Sequence, residues 1–567
     1  MTEHAFATWD GSNIFYRMWQ PTNPNGRSIL LFHRGHEHSR RWEAFANALN
    51  IDGVTLFAWD QRGHGKSDGK RGAAPDLAAV IRDADRFARH LVAEHGVSLP
   101  NTAVIASSLG AVVATAWIHD YAPPVRALVL AAAAFEVKLY VPLAIPFLTA
   151  KEKLLPGGEV TSFVKSKMVT SDPAEQRAYD ADPLIFKQIA VNLLLDLHHT
   201  GKRLVDDAAA ITTPTLMLVA GNDWVVKQQP QLEFFRKLGA TTKQLELYPH
   251  GKHALFNDII APEITRRIRT FLSRRFAADA EVKVSRFSHT EYDLLRTPSS
   301  LYWRSQRAVV KLGGFFSNGI KLGLTTGFDS GQSLDYVYKN QAAGVTPIGR
   351  MVDRGYLDAI GWRGIRVRRE SLKTLLRNAI DETIKAGREV NILDIAAGGG
   401  RYVLETVAEL NGKAKAVSVE LRDYRQSNLD AAASLAKSLG VDRVTFTRGD
   451  AFDRATLAAA SPKPAVAIVS GLYELFPDNT AVRRSLAGLA DAVADDGYLL
   501  YTNQPWHPQV EYIARTLTNH NGQPWIMRRR SQAEMDALVR EAGFEKVDQM
   551  VDRWGIFTVS LARRVRS

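Results

Sequence analysis

From about residue 14 to 275, short apolar runs alternate with longer stretches whose apolar residues recur at helical spacing. SILLFH (28–33), VTLFAW (54–59), TAVIAS (102–107), ALVLAA (127–132), TLMLVA (215–220) and QLELYP (244–249) predict strands. Strands and helices in alternation predict a mainly parallel sheet with helices on both faces. A second, independent series begins near 390 with VNILDIAA, AKAVSVE, VTFTRGD, AVAIVSG and GYLLYTN. Two series of this kind predict two α/β domains. Between them, 281–390 is Arg-rich and reads as helical, and FAADAEVKV (276–284) is the expected boundary. The expected domains are therefore 1–277, a basic, mainly helical 278–385, and a core over 386–567.

One stretch breaks the first series. FEVKLYVPLAIPFLTAKEKLLPGGEV (135–160) is apolar, broken by prolines and flanked by lysines. It follows a strand, where a cap over about 135–210 would be inserted, and could line an apolar pocket or touch a membrane surface. Composition narrows the chemistry. The 567 residues include no Cys, so disulfides, thiolate metal sites and cysteine nucleophiles are excluded, and no metal site is read from the sequence. The start of the sequence shows no basic-then-apolar leader, and no run of 18 apolar residues is present. A cytoplasmic protein is expected. Net charge is +12, and most of the excess lies in 281–390, centred on GWRGIRVRR (361–369). Such a run reads either as a solvated face or as a patch for an anionic partner.

In TAVIASSLGAVVATAW (102–117), a strand runs into an Ala/Val helix through two serines. A serine on a sharp strand-to-helix turn needs small residues two before and two after it. Ser108 has Ala106 and Gly110 there, whereas Ser107 would have Ile105 and Leu109. Asp223 follows the strand TLMLVA, and His253 lies in LYPHGKHALFND, giving the order Ser, acid, His. His253 would take the proton from Ser108, and Asp223 would orient the imidazole. His250 is the competing base. The segments LFHRGHEHSRRW (31–42) and WDQRGHGKSDGKRG (59–72) resemble the monoglyceride lipase and lysophospholipase branch of the α/β-hydrolases. That resemblance covers about 10–275 and implies an oxyanion hole formed by the amides of Gly35 and Leu109. Arg34 and His36 stand where that branch has glycines. Either the loop is remodelled or an anionic headgroup is recognised.

NILDIAAGGGRYVLE (391–405) reads strand, glycine turn, helix, and is similar to the D-x-G-x-G-x-G turn of class I methyltransferases, with Ala396 for the first glycine. The resemblance implies that Asp394, Ala396, Gly398 and Gly400 surround the amino acid part of S-adenosylmethionine. Glu420, twenty residues after Gly400, is the expected partner of the ribose hydroxyls. Asp450, beside Ala451 and Phe452, is the expected adenine contact. Asn503, Gln504, Trp506 and His507 follow the fifth strand and are candidates for the methyl-acceptor site, with His507 a possible base. The absence of Cys excludes a covalent cytosine route.

Together these segments resemble bacterial fusions of an α/β-hydrolase with a class I S-adenosylmethionine-dependent methyltransferase. The expected fold class is α/β in two domains, a capped α/β-hydrolase followed by a Rossmann-like methyltransferase. The expected function is a bifunctional enzyme of lipid metabolism. It would cleave a monoacylglycerol or lysophospholipid and methylate a related molecule, in peripheral contact with an anionic inner membrane. Two other readings stand beside it. One is an RNA or protein methyltransferase on a non-catalytic hydrolase scaffold, although nucleic acid is not the favoured partner; the other is an esterase and methyltransferase of small soluble metabolites.

Overall fold

The computed structural model describes residues 1–278, 287–297, 300–344, 346–410 and 416–565. The chain divides into two compact units, Met1–Ser285 and Arg286–Ser567. The expected boundary segment 276–284 lies mostly outside the described residues.

In the first unit, β1 (Thr2–Ala7) and β2 (Asn13–Trp19) form an antiparallel hairpin. β3 (Ser28–Phe32), β4 (Thr55–Trp59), β5 (Thr102–Ser107) and β6 (Ala127–Ala131) follow. The chain then leaves the sheet through helix Ala144–Leu154, a two-stranded hairpin of β7 (Glu159–Thr161) and β8 (Gln188–Ala190), and helix Val191–Asp206. It returns as β9 (Thr215–Ala220) and β10 (Lys243–Tyr248). The strand order is β1-β2-β4-β3-β5-β6-β9-β10, parallel from β4 onward. Every residue of β3, β5, β6 and β9 is buried, because helices cover both faces. That is why these strands are unbroken apolar runs rather than alternating ones. This is the α/β-hydrolase fold, with the cap between β6 and β9.

The second unit opens with short helices: Phe287–Leu295, Leu301–Gly313, Asn318–Thr326, Gly331–Lys339 and Pro347–Leu357. Three of them start on side-chain caps. Ser317, Ser330 and Thr346 accept the N–H of Ile320, Ser333 and Gly349. The long helix Ile360–Lys385 leads into β11 (Val390–Asp394), β12 (Val417–Asp423), β13 (Val444–Arg448), β14 (Val466–Val469), β15 (Tyr498–Asn503), β16 (Phe544–Val551) and β17 (Thr558–Arg564). Their order is β13-β12-β11-β14-β15-β17-β16, with β17 antiparallel to both neighbours. A dinucleotide-binding sheet has the order 3-2-1-4-5-6. Here the antiparallel β17 is inserted beside β15, and the sheet fits a methyltransferase-like fold. β11 lies between β12 and β14, so the connections reverse direction there, and ligands of open α/β sheets bind at such a point.

The run 361–369 is not a free basic patch. Arg368 is buried, Arg366 donates to the Leu357 carbonyl, and Arg369 pairs with Glu405. Arg363 lies over the Trp554 ring at 4.8 Å. The helix Ile360–Lys385 packs along the sheet, and Arg368 and Arg369 meet the carboxylates of Glu474 and Glu405 inside the unit.

Candidate active sites

Ser108 sits between β5 and helix Leu109–Tyr121 with φ 55° and ψ −117°, a strained conformation for a residue with a side chain. Small neighbours permit it. A Cβ at Gly110 would stand 2.4 Å from the His33 carbonyl oxygen, so nothing larger than glycine fits. The turn lifts Ser108 Oγ to 2.8 Å from His253 Nε2, and His253 Nδ1 lies 2.9 Å from Asp223 Oδ2. The other Asp223 oxygen accepts the N–H groups of Val225 and Val226 at 2.7 and 2.9 Å. Burial raises the pKa of Asp223, but His253 and these hydrogen bonds outweigh it and hold the carboxyl below its ordinary value. Ser108, His253 and Asp223 thus form a buried relay. His250 is exposed and stands outside it.

Gly35 lies against Leu109: a Cβ at 35 would be 3.6 Å from Leu109 Cδ2. Leu109 is the first residue of its helix, so its N–H has no intrahelical partner. Both residues line the cavity that holds Ser108. Other residues of the two lipase-like segments brace these loops, and Arg34, His36, Glu37, Gln61, Arg62 and His64 also line the cavity. Asp60 accepts the N–H of Ser39 at 2.6 Å and of Lys66 at 2.7 Å. His33 Nε2 accepts the Gln61 N–H at 2.9 Å, while its Nδ1 meets the Arg34 carbonyl at 2.7 Å. Arg34 and Glu37 form a buried bidentate pair, and the second glycine is replaced by His36 at φ 68° with its ring against Phe186. The loop holds an internal ion pair, while Arg34 lines the cavity and its Nη1 has no hydrogen-bond partner in the protein.

Above Ser108 is a cavity of about 1210 Å³. Its walls are mainly apolar and come largely from the cap, including Leu139, Val141, Phe147, Leu194 and Leu197. At its rim Val141, Leu143 and Phe147 are 67%, 78% and 68% exposed. Among the described residues no helix is long and apolar enough to cross a membrane.

In the second unit β11 ends at Asp394, which is fully buried. Burial pushes its carboxyl up to about 7, against the pull of hydrogen bonds from Tyr402 Oη and the Ala396 N–H. Gly398 and Gly400 have φ of 55° and 62°. A Cβ at Gly400 would collide with Leu421, whereas at Gly398 and Gly399 it would meet nothing within 4 Å. At Gly398 and Gly399 the turn therefore presents bare backbone to open space. The structure departs from the sequence reading at β12. Glu420 pairs with Arg422, whereas Asp423, at the strand's end, accepts the Gly398 N–H at 2.9 Å. Alternation along a strand puts 420 and 423 on opposite faces. Asp423, and not Glu420, stands beside the glycine turn. Asp450 is exposed in the loop after β13 and accepts the Phe452 N–H, with Ala451 buried beside it.

The loops after β14 and β15 border a cavity of about 280 Å³. Gln504 and His507 line it. Asn503 does not, because its amide is held by the Arg530 carbonyl and Gln532. Trp506 packs into the neighbouring apolar cluster. His507 is not a base. Its Nδ1 accepts the Gln509 N–H at 3.0 Å, and burial, aided by Arg529, pulls its pKa down to about 3. The neutral ring carries its proton on Nε2 and can only donate into the cavity.

The comparisons divide along the same line. Residues 268–564, just over half the chain, match the family described as "Putative methyltransferase", and 23–259 match "Serine aminopeptidase, S33". "Uncharacterized protein YnbC" of Escherichia coli is 46% identical over 99% of this chain and 98% of its own. The monoacylglycerol lipase of Mycolicibacterium smegmatis is 29% identical over 45% of this chain and 91% of its own. The solved monoacylglycerol lipase of Paleococcus ferrophilus is 22% identical, with a TM-score of 0.42 over 46% of this chain and 99% of that one. The first unit is thus a hydrolase domain similar to monoacylglycerol lipases, and the second a domain of a methyltransferase family. Along its whole length the chain belongs to the family of Escherichia coli YnbC, and through its second half to the "Putative methyltransferase" family.

Proposed function

We propose that the chain is a bifunctional enzyme, a serine ester hydrolase for long-chain monoacyl esters joined to an S-adenosylmethionine-dependent methyltransferase. The observation that carries the first activity is the Ser108–His253–Asp223 relay opening into the large apolar cavity. His253 takes the Ser108 proton as Oγ attacks the ester carbonyl, Asp223 stabilises the imidazolium, and the acyl group passes to Ser108. The amides of Gly35 and Leu109 hold the oxyanion, each worth about 3 kcal/mol in the transition state. Water then releases the acid by the same route in reverse roles. A cavity of about 1210 Å³ suits an acyl chain better than a short ester. Its exposed rim of Val141, Leu143 and Phe147, with Lys153, Lys165 and Lys167 exposed nearby, suits peripheral contact with an anionic lipid surface.

For the second activity, the residues present fit S-adenosylmethionine. Gly398 and Gly399 leave backbone open to the amino acid part, Asp423 can accept from ribose hydroxyls, and Asp450 can accept from the adenine amino group. Bound there, the cofactor supplies an electrophilic methyl group. The protein's task is then to hold the acceptor in line and exclude water.

Ser108→Ala should abolish hydrolysis of a long-chain p-nitrophenyl ester while S-adenosylhomocysteine still binds by calorimetry. Retained hydrolysis would refute the first reading, and no binding by the unmodified chain would refute the second. A preference for short soluble esters, with no binding to anionic vesicles, would remove the lipid part.

A further inference from the structure

The cavity bordered by the loops after β14 and β15 has walls and polar groups that the reading above leaves unused. Helices from the start of the second unit close it: Phe328 and Trp362 face Trp525 and Phe557 from the later loops. Trp362 and Trp525 lie with ring centroids 6.1 Å apart and planes 25° from parallel. At about 280 Å³ it is less than a quarter of the hydrolase cavity and sits at the foot of the roughly 300–1,000 Å³ range of small-molecule sites. An acyl lipid does not fit. One or two flat rings do, and aromatic walls favour them through ring–ring contacts.

The polar groups define what the ring carries. Gln504 is 3% exposed, and its Nε2 has no hydrogen-bond partner in the protein. His507 directs Nε2–H at the same space, since its other nitrogen is occupied by the Gln509 N–H. Tyr356 Oη, Arg368 Nε and Trp525 Nε1, on residues lining the same cavity, are likewise buried without a hydrogen-bond partner, and leaving buried donors unpaired is costly. Two carboxylates line the cavity, and one of them, Asp329, is held by His520. The Glu474 carboxylate lines the cavity at 3.8 Å from Arg368, whose guanidinium lies over Phe557 at 4.9 Å. Arg368 and Glu474 cancel in charge, so the site suits a neutral hydroxyl that both accepts and donates.

Resting on the methyltransferase reading above, we propose that this cavity takes a small hydroxylated aromatic ring as methyl acceptor. Gln504 and His507 orient its oxygen, and Glu474 receives its proton. In the transfer the hydroxyl proton passes to Glu474 and the oxygen lone pair forms the O–CH3 bond. The donor's S–CH3 bond breaks with its electron pair left on sulfur, and Glu474 returns the proton to solvent.

The test uses the full chain saturated with S-adenosylhomocysteine and a panel of phenol, catechol, 2-naphthol and 7-hydroxycoumarin, read by tryptophan quenching and calorimetry. At least one should bind, and roughly tenfold more tightly than its saturated analogue, as decahydro-2-naphthol is to 2-naphthol. Gln504→Leu should weaken that ring roughly tenfold without moving S-adenosylhomocysteine affinity or the melting temperature. Glu474→Gln should keep ring binding but slow methyl transfer roughly 100-fold. If S-adenosylhomocysteine binds while no ring does, or saturated analogues bind as well, the acceptor class is wrong and the methyltransferase reading stands. If the homocysteine product itself fails to bind, that reading falls and takes this inference with it.

Discussion

Asp423 Oδ2 accepts the Gly398 N–H at 2.9 Å, which ties the end of β12 to the turn after β11. Its other oxygen accepts from the Arg425 N–H and Asn428 Nδ2 at 2.8 and 3.0 Å. The carboxylate is thus fixed at the rim where two strands diverge around the switch point. Asp423→Ala should weaken S-adenosylhomocysteine binding by roughly 10–100-fold, the worth of one or two charge-assisted hydrogen bonds. Glu420→Ala should change it by less than about twofold, since that residue's partner is Arg422. Calorimetry on the two variants decides between the positions. Equal losses would contradict the placement.

The Arg34–Glu37 pair makes a sharper prediction about stability. Both side chains are buried, 6% and 3% exposed, and Arg41 adds a contact to Glu37 at 3.7 Å. Removing one partner leaves the other charge buried and unmatched, at a cost of roughly 3–5 kcal/mol. Glu37→Gln should therefore lower the urea midpoint of the first unit strongly. Arg34→Gly on top of it should recover much of the loss, because the unmatched cation goes and glycine suits the loop. A double variant no better than the single one would mean that Arg41 and not Arg34 is the partner that matters.

What the sequence disclosed follows from how locally each feature is encoded. The strands Thr102–Ser107 and Thr215–Ala220 are apolar without a break because both faces are covered, and their bounds were legible to the residue. The hairpin of Thr2–Ala7 and Asn13–Trp19 was missed. The edge strand Thr2–Ala7 is largely exposed and carries a weak pattern, although the turn residues in WDGSN were a usable signal. Ser108 was legible because strain requires small neighbours at fixed offsets. Counting twenty residues from Gly400 ends the strand at Glu420, while β12 runs three residues further into LRD, a segment polar enough to read as loop. The roles of Asn503, Gln504 and His507 depend on the Arg530 carbonyl, on the cavity and on the Gln509 N–H, none of which local sequence specifies.

Acid should unfold the first unit through its buried histidines. Burial lowers His33 and His36 to about 4 and His64 to about 3, each from an ordinary 6.5. Between 6.5 and about 4 the unfolded chain takes up protons that the native state refuses. Stability is therefore fully present above pH 6.5 and falls as pH drops through this window, by about 1.4 kcal/mol per pH unit for each histidine. His36→Asn keeps a residue tolerant of positive φ while removing one of these groups. Denaturant titrations at pH 7.5 and 5 should show a shallower loss for the variant. An unchanged slope would mean that His36 is hydrated and titrates normally.

The second unit should respond to pH in the opposite sense. Asp394 is a carboxyl whose folded pKa, about 7, lies above its ordinary 3.8, with burial the main cause and Asp423 adding to it. Between those values the native state holds a proton that the unfolded chain has lost. The stability that Asp394 contributes is therefore complete below about 3.8 and is lost as pH rises through 7. The span corresponds to roughly 4 kcal/mol. Asp394→Asn keeps a neutral side chain that can still accept from Tyr402. The variant should exceed the parent in melting temperature modestly near pH 5 and by more at pH 8. A cation bound at the turn would favour the ionised carboxylate, so S-adenosylmethionine, whose sulfonium is positive, should narrow the difference at pH 8 more than neutral-sulfur S-adenosylhomocysteine does. If parent and variant melt together at both pH values in the ligand-free protein, Asp394 is ionised throughout, and its role would be that of an ordinary charged contact.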